Sequence, residues 1–464
     1  MTKHPDKLLF CDKLLFFVLG ASLVLSIGFS MLRFPSWLPL TESLMLFCLL
    51  GYALKQPSAC ALWFRSPWFF FVLFWWFYVG ITVYIAYPQW GTFAFRSATH
   101  AVEMAFILLG IWIGSTDRRK IWLRFFGIIL LCGNIHLLFW PIAPFLRDYS
   151  PKVISLVGEE TPIFFNYMNS ALLTTSYLSW LLFNKDNEKK WNIKFAIVAM
   201  TCGYSLIHGQ GRINYALYPL LFAMVFFLDH KKTKIFVGII LLFLLSVFIV
   251  SVYEIKLEGR IGTFNFEFLY HHFLASFGII ADPFQEGIVG SAAGVGQRLN
   301  WWSEIERQIF HGGITSLFFG LGQGIPLTDL TLADGTPVRE PHNSVLSIIG
   351  RYGLLGLSVF LWMHILMARK LIRNIRASST LTEYREYLIL SFFLLSTFLI
   401  AMVEDALEKP FYAIWYYFVW GIAITRQSRQ QKVYEKNSTV YSSSSTASAW
   451  CGHDGTIHSR QHSN

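Results

Sequence analysis

Apolar residues run along this chain in blocks of up to about 25, separated by connections in which the charged residues collect. A helix of about 20 apolar residues crosses the ~30 Å hydrocarbon core of a bilayer while satisfying its own backbone hydrogen bonds. The pattern predicts about twelve such spans, near 14–32, 39–54, 66–87, 101–115, 121–145, 162–183, 193–208, 213–229, 235–253, 344–368, 387–403 and 411–425. Span 2 is short, and spans 7 and 8 are joined by a turn of a few residues. Between spans 9 and 10 lies a connection of a different kind, residues 254–343, rich in Gly, Asp and Asn turn signals; a connection of that size is usually functional or a small domain. Inside it, Gln297–Phe310 predicts an amphipathic helix with Leu299, Trp302, Ile305 and Ile309 on one face and Arg298 and Glu306 elsewhere. The aromatic stretch Phe264–Phe277 suits a membrane interface. From Arg426 the chain turns polar, with the run Ser442–Ser445, and predicts a disordered tail. The expected class is therefore an all-α polytopic membrane protein divided into 1–253 (helices 1–9), 254–343 (a partly helical loop domain), 344–425 (helices 10–12) and 426–464 (tail).

Composition supports the class. Of the 464 residues 54% are hydrophobic and 14% charged, against roughly 25% charged in soluble proteins. The net charge of +10 would fit a nucleic-acid binder, but its distribution argues otherwise. Alternate connections hold about 25 Lys and Arg in one set and about eleven in the other, although the second set includes the longest loop. The positive-inside rule then puts both termini in the cytoplasm, and no nucleic-acid partner is implied. The first span follows Lys3, Lys7 and Lys13; it is too long for a signal peptide and has no clear small-residue cleavage site, so it reads as an uncleaved anchor. Cys11, Cys48, Cys60, Cys132, Cys202 and Cys451 fall in spans or inside segments, which argues against a disulfide framework. Cys451 with His453, His458 and His462 in the tail does not match a zinc-ligand spacing.

The outside connections carry the candidate chemistry. Arg212 stands in HGQGRINY at the turn between spans 7 and 8, and Arg298 in GQRLNWW in the large loop. Gly320-Leu-Gly322-Gln-Gly324 follows, then Pro341-His342-Asn343-Ser344, which leads into span 10 with Gly350-Arg-Tyr-Gly353-Leu-Leu-Gly356. This arrangement resembles the O-antigen ligase and polymerase superfamily of bacterial inner-membrane proteins, and most of all its ligase branch. The resemblance covers the topology of the whole chain, with the matched motifs confined to about 210–360. Two positions depart from the family pattern: Arg351 stands where an acidic residue often precedes the Gly-x-x-Gly run, and Gly-Gln-Gly precedes Arg212 where Ser is expected beside the Arg.

The resemblance implies a GT-C-like fold in the inner membrane, with the large loop in the periplasm. It implies transfer of a glycan from undecaprenyl diphosphate to a sugar hydroxyl of lipid A core, by an inverting attack and without a cofactor. As the glycosidic bond breaks, charge grows on the diphosphate, and a metal ion or arginines must take it up. Arginine suits the task because its guanidinium stays charged and binds phosphate oxygens in pairs. By the resemblance, Arg212 and Arg298 bind the diphosphate. His342 takes the acceptor proton as a general base or orients the diphosphate, and Asn343 beside it contacts substrate. Each has a plainer reading. Arg212 could meet lipid headgroups, Arg298 could sit on a solvated helix face, and Asn343 or Ser344 could cap span 10 with His342 as a neighbour. Gly320–Gly324 reads as a turn packed near the site and Gly350–Gly356 as close helix packing. A metal-independent site is expected, because Arg33–Leu38 holds no acidic residue and Asp329 and Asp334 are too far apart for an Asp-x-Asp motif.

Other polar groups read as structural in the first instance: Glu404 and Asp405 at the outer end of span 11, Glu159 and Glu160 in the loop 146–161, Glu103 beside His100 in span 4, and Asn134, His136 and His364 inside spans. The Phe- and Trp-rich spans 3 and 5 are expected to line a groove for the lipid tail. Three alternatives stay open: a polymerase of the same superfamily acting on a carrier-linked acceptor, a transferase of glycans to protein hydroxyls, and a twelve-span transporter. The last rests on the basic inside loop Gly114–Lys120 and is opposed by the long outside loop and the lack of a visible repeat.

Overall fold

The computed structural model describes residues 9–33, 39–154, 160–167, 170–184, 193–209, 212–228, 233–253, 286–328 and 339–426, with isolated short pieces between 257 and 274. The polar tail beyond Arg426, most of the aromatic stretch 264–277, Glu159, Asp329 and Asp334 lie outside the described residues.

The described residues are 82% helix and 2% strand, and each of the twelve apolar blocks contains helix, although the sixth is helical only from Ser170. In order the helices are α1 (Phe10–Leu25), α2 (Ile27–Ser30), α3 (Leu40–Lys55), α4 (Pro57–Phe64), α5 (Pro67–Trp90), α6 (Thr92–Ser97), α7 (Thr99–Met104), α8 (Phe106–Ser115), α9 (Arg118–Leu137) and α10 (Ala143–Asp148). A small antiparallel pair, β1 (Lys152–Ile154) and β2 (Glu160–Pro162), precedes α11 (Ser170–Phe183), α12 (Ile193–Gly209), α13 (Arg212–Leu228) and α14 (Thr233–Val252). The large loop contributes α15 (Glu286–His311) and α16 (Gly313–Phe319), and the chain closes with α17 (Ser344–Arg376), α18 (Leu381–Ala401) and α19 (Pro410–Ala423). Among the described residues, five helical segments are long and apolar enough to cross a membrane: Pro67–Trp90, Thr92–Ser115, Arg118–Leu137, Ser344–Arg376 and Leu381–Ala401. The fourth expected span is longer than its hydropathy shows, because α6, α7 and α8 run on from Thr92 as one segment.

Burial sorts the helices into layers. Every residue of α19 from Phe411 to Ala423 is buried, which makes it the central element. It meets α8 at glycines: a Cβ on Gly110 would come 2.1 Å from the Phe418 carbonyl oxygen, and one on Gly421 2.2 Å from that of Ile107. Gly110 and Gly114 form the small-xxx-small spacing that lets two backbones touch. Helix α5 lies at the periphery, with Phe70, Phe77, Tyr84 and Ile85 more than half exposed. A helix apolar on both its buried and its exposed faces is suited to lipid.

Two sequence expectations need correcting. The loop helix is present but begins earlier, at Glu286, and its buried stripe is Trp301, Ile305 and Ile309. Leu299 is 53% exposed and Trp302 only half-buried. Positions four apart share a helix face, whereas Leu299 lies two residues before Trp301 and points away. Span 10 is not one continuous helix either, since Gly353 breaks α17 with a left-handed φ of 62°.

Candidate functional site

That break is filled by the glycine-rich turn. Opening the helix at Gly353 frees the preceding carbonyls, which inside an apolar bundle must find donors. The Leu321 amide donates to the Gly350 carbonyl at 2.7 Å, the Gly322 amide to that of Arg351 at 3.3 Å, and the Tyr78 hydroxyl to that of Tyr352 at 3.1 Å. The turn fits only because side chains are missing: a Cβ on Gly320 would lie 2.4 Å from the Arg351 carbonyl carbon, and one on Gly353 2.5 Å from Phe318. The Gly324 amide donates to Ser97 Oγ, tying the turn to α6. The glycines of both motifs thus interlock.

Arg351 secures the same junction. It is 1% exposed, and its Nη2 reaches both oxygens of Glu340 at 2.7 and 2.9 Å while Nη1 donates to the Ile325 carbonyl. Arg351 therefore has its partner eleven residues upstream, before the start of α17. Arg339 stacks on Phe93 at 4.1 Å and donates to the Gly324 carbonyl.

The segment 341–344 is stitched at every residue. The Trp302 indole donates to the Pro341 carbonyl at 3.3 Å. Asn343 Oδ1 accepts from the Val345 and Leu346 amides, capping α17, while its Nδ2 donates to the Met402 carbonyl at 2.8 Å. Ser344 Oγ accepts from the Leu407 amide and donates to the Glu404 carbonyl. The capping reading of Asn343 is the one realised in this structure. Between these anchors His342 adopts φ 52°, a left-handed backbone that histidine tolerates better than most side chains.

Held in this way, His342 faces the α18–α19 connection. Its Nδ1 lies 3.5 Å from Asp405 Oδ1, and Lys409 Nζ lies 2.8 Å from the same carboxylate oxygen. Trp301 of α15 covers the imidazole, ring centroids 5.7 Å apart. Burial alone would raise the Asp405 carboxyl, but hydrogen bonding with His342 and the charge of Lys409 hold it well below the usual carboxylate range. Nearby, burial would raise Glu340 too, and the Arg351 guanidinium outweighs it. Glu408 goes the other way, pushed well above its ordinary value by burial and then by Glu340 beside it. The two carboxyls are thus driven apart, Glu340 toward the ionised form and Glu408 toward the protonated one.

A cavity of about 310 Å³ opens beside these groups. Asp405, Glu408, Lys409 and Glu340 form one wall, and Arg33, Glu42 and Arg96 the other. Of the residues expected from sequence, His342 adjoins this cavity through Asp405. Arg298 lies one turn before Trp301 on α15, and Arg212 begins α13, its side chain outside the described residues. Glu103, expected near a surface, is fully buried with neither carboxylate oxygen hydrogen-bonded to the protein, and His100 is 3% exposed. Asn134 is satisfied, donating to the Leu130 carbonyl and accepting from Thr201.

Sequence reasoning missed Lys409, Glu408, Glu340, Arg33 and Arg96, and set Asp405 aside as an anchor. A signal existed for three of them: Glu404-Asp-Ala-Leu-Glu-Lys409 packs three carboxylates and a lysine into six residues between apolar spans. Nothing local pointed Arg33 or Arg96 at that cluster. Compared by sequence, the chain matches no protein-family model and no curated protein.

Proposed function

We propose that the chain is a twelve-span glycosyltransferase of the O-antigen ligase type in a bacterial inner membrane, both termini cytoplasmic, with His342 and its cavity on the periplasmic side. It moves a glycan from undecaprenyl diphosphate to a hydroxyl of lipid A core. The observation that carries the reading is the His342–Asp405–Lys409 line at the edge of the cavity. With Nδ1 turned toward the Asp405 carboxylate, 3.5 Å away, Nε2 is left to act as the acceptor that a general base needs. In the reaction His342 Nε2 takes the proton of the acceptor hydroxyl, whose oxygen attacks the anomeric carbon from the side opposite the diphosphate. The imidazolium so formed is stabilised by Asp405, and Lys409 keeps that carboxylate ionised. Arg298 and Arg212 take up charge on the departing diphosphate.

The test is transfer in vitro with purified full-length protein, carrier-linked glycan and lipid A core, in excess chelator, with His342→Ala alongside. Glycan on lipid A that disappears in the variant supports a metal-independent ligase. Longer carrier-linked chains without a lipid A product make it the polymerase of the same superfamily. No transfer to any acceptor by folded protein sinks the reading.

A further inference from the structure

The charges around the cavity do not balance. Glu340 is paired with Arg351, and Asp405 and Glu404 are both paired with Lys409. Of the other charged lining residues, Arg33 and Arg96 have Glu42 near them, and among the described residues neither arginine forms an ion pair within 4 Å. Arg33 Nε is buried without a hydrogen-bond partner, a state that costs free energy unless a ligand supplies an acceptor. Two guanidinium groups near each other, with one carboxylate between them, leave a surplus of positive charge. That surplus selects an anion.

A separate apolar groove of about 580 Å³ is lined by neighbouring residues of the same helices. Helix α3 gives Glu42 to the cavity and Leu46, one turn on, to the groove; α6 and α7 give Arg96 and Thr99 to the cavity, and Phe95, Ala98 and Val102 to the groove. Helix α5 closes the far side with Val79 and Val83. A polar anion site and an apolar trough built on the same helices fit one amphiphile, its head in the first and its chain in the second. We propose that Arg33 and Arg96 bind the phosphate head of a polyprenyl-type lipid, whose tail leaves along the groove between α3, α5 and α6–α7. The assignment of this lipid as the glycan's carrier rests on the transferase reading above; the binding site itself does not.

Binding is measurable without any sugar. Full-length protein in nanodiscs would be titrated with undecaprenyl monophosphate and diphosphate, and bound lipid read by native mass spectrometry. Arg33→Gln and Arg96→Gln are each expected to weaken binding about 10-fold or more, as loss of charge-assisted hydrogen bonds requires, with Lys at either position restoring part of it. A Cβ on Gly80 meets nothing within 4 Å, so Gly80→Phe fills the groove without disturbing the helices and is expected to weaken lipid binding while sparing the affinity for inorganic diphosphate. Glu306→Gln, at an exposed position of α15, is the control. The site is overturned if the arginine variants, folded by thermal shift, bind as the parent does. It is also overturned if phosphatidylglycerol competes equally, or if Gly80→Phe has no effect and inorganic diphosphate binds as tightly as the lipid. Lipid binding at the arginines with no glycan transfer keeps this site and refutes the transferase; undiminished transfer by Arg33→Gln/Arg96→Gln does the reverse.

Discussion

Asp405 and Glu408 lie three residues apart and are driven in opposite directions, because one carboxyl meets cations and the other meets burial and a second carboxyl. The stability consequences are opposite too. Asp405, lowered in the folded state, contributes stability that is present above the ordinary carboxylate range and lost as pH falls through its folded pKa. Glu408, raised, contributes stability that is present below that range and lost as pH rises through its folded pKa. Thermal stability should therefore decline on both the acidic and the alkaline side. Glu408→Gln is expected to remove the alkaline decline while leaving the acidic one, and Asp405→Asn to lower stability at neutral pH with the deficit shrinking in acid. Melting curves across pH in detergent check both; an unchanged alkaline limb in Glu408→Gln rules out Glu408 as the raised carboxyl. At Arg351 the issue is isolation of a charge. Arg351→Met strands Glu340, a loss of about 3–5 kcal/mol for a broken buried pair, and Arg351→Met with Glu340→Gln should recover much of it. A double variant no more stable than the single one would show that Arg351 acts through the Ile325 carbonyl instead.

At the scale of elements, the break in α17 and the turn that fills it form one device, and glycines at different places in it fail for different reasons. Gly353 and Gly320 combine a left-handed φ with a Cβ that would strike backbone, whereas Gly322 has a φ of 94° but open space around it. Gly322→Ala should cost only the strain of the backbone, about 1–3 kcal/mol. Gly353→Ala and Gly320→Ala should cost more and displace the turn from α17, read as a larger drop in melting temperature and protease cleavage near 320–324. Equal losses at all three positions would mean the turn does not dock as described. The helices themselves were legible in the sequence, because an apolar block of span length has few other fates. The break was visible only as Gly-x-x-Gly, which reads equally well as close packing, and what separates the two readings is the turn's amides reaching freed carbonyls from 30 residues away. The loop helix was found from its periodicity, but its buried face was chosen through Leu299, since hydropathy ranks an apolar side chain without saying which neighbour covers it. His342 was legible from its motif, whereas Asp405, Lys409, Arg33 and Arg96 join it only through the folded arrangement of α1–α3, α6–α7, α18 and α19.

Across the whole molecule the two ends of the helices do different work. At the end away from His342, side chains are consumed in clamps. Asp12 accepts from Tyr52 at 2.6 Å and from Arg118 at 2.8 Å. Arg119 Nη1 donates to the Ile422 and Thr425 carbonyls, joined there by Asn374 and by the Tyr387 hydroxyl. These donors converge on the last turn of α19, where carbonyls have no partner within the helix and the dipole favours a cation. At the His342 end, by contrast, Arg33 and Arg96 face open volume and Glu42 Oε2 has no partner. A fold that ties down one end of its central helix and leaves polar groups uncommitted at the other separates stability from activity. Arg119→Ala should then lower stability by about 1.5–3 kcal/mol, the worth of hydrogen bonds from a charged group, while transfer per folded molecule at a temperature below unfolding stays at the parent level. His342→Ala should do the opposite, abolishing transfer with a smaller change in melting temperature, because its imidazole is only partly buried. The two variants, assayed side by side for melting and turnover, test the division directly. A proportional loss of both properties in Arg119→Ala would show that the clamps shape the cavity from the far end through α19.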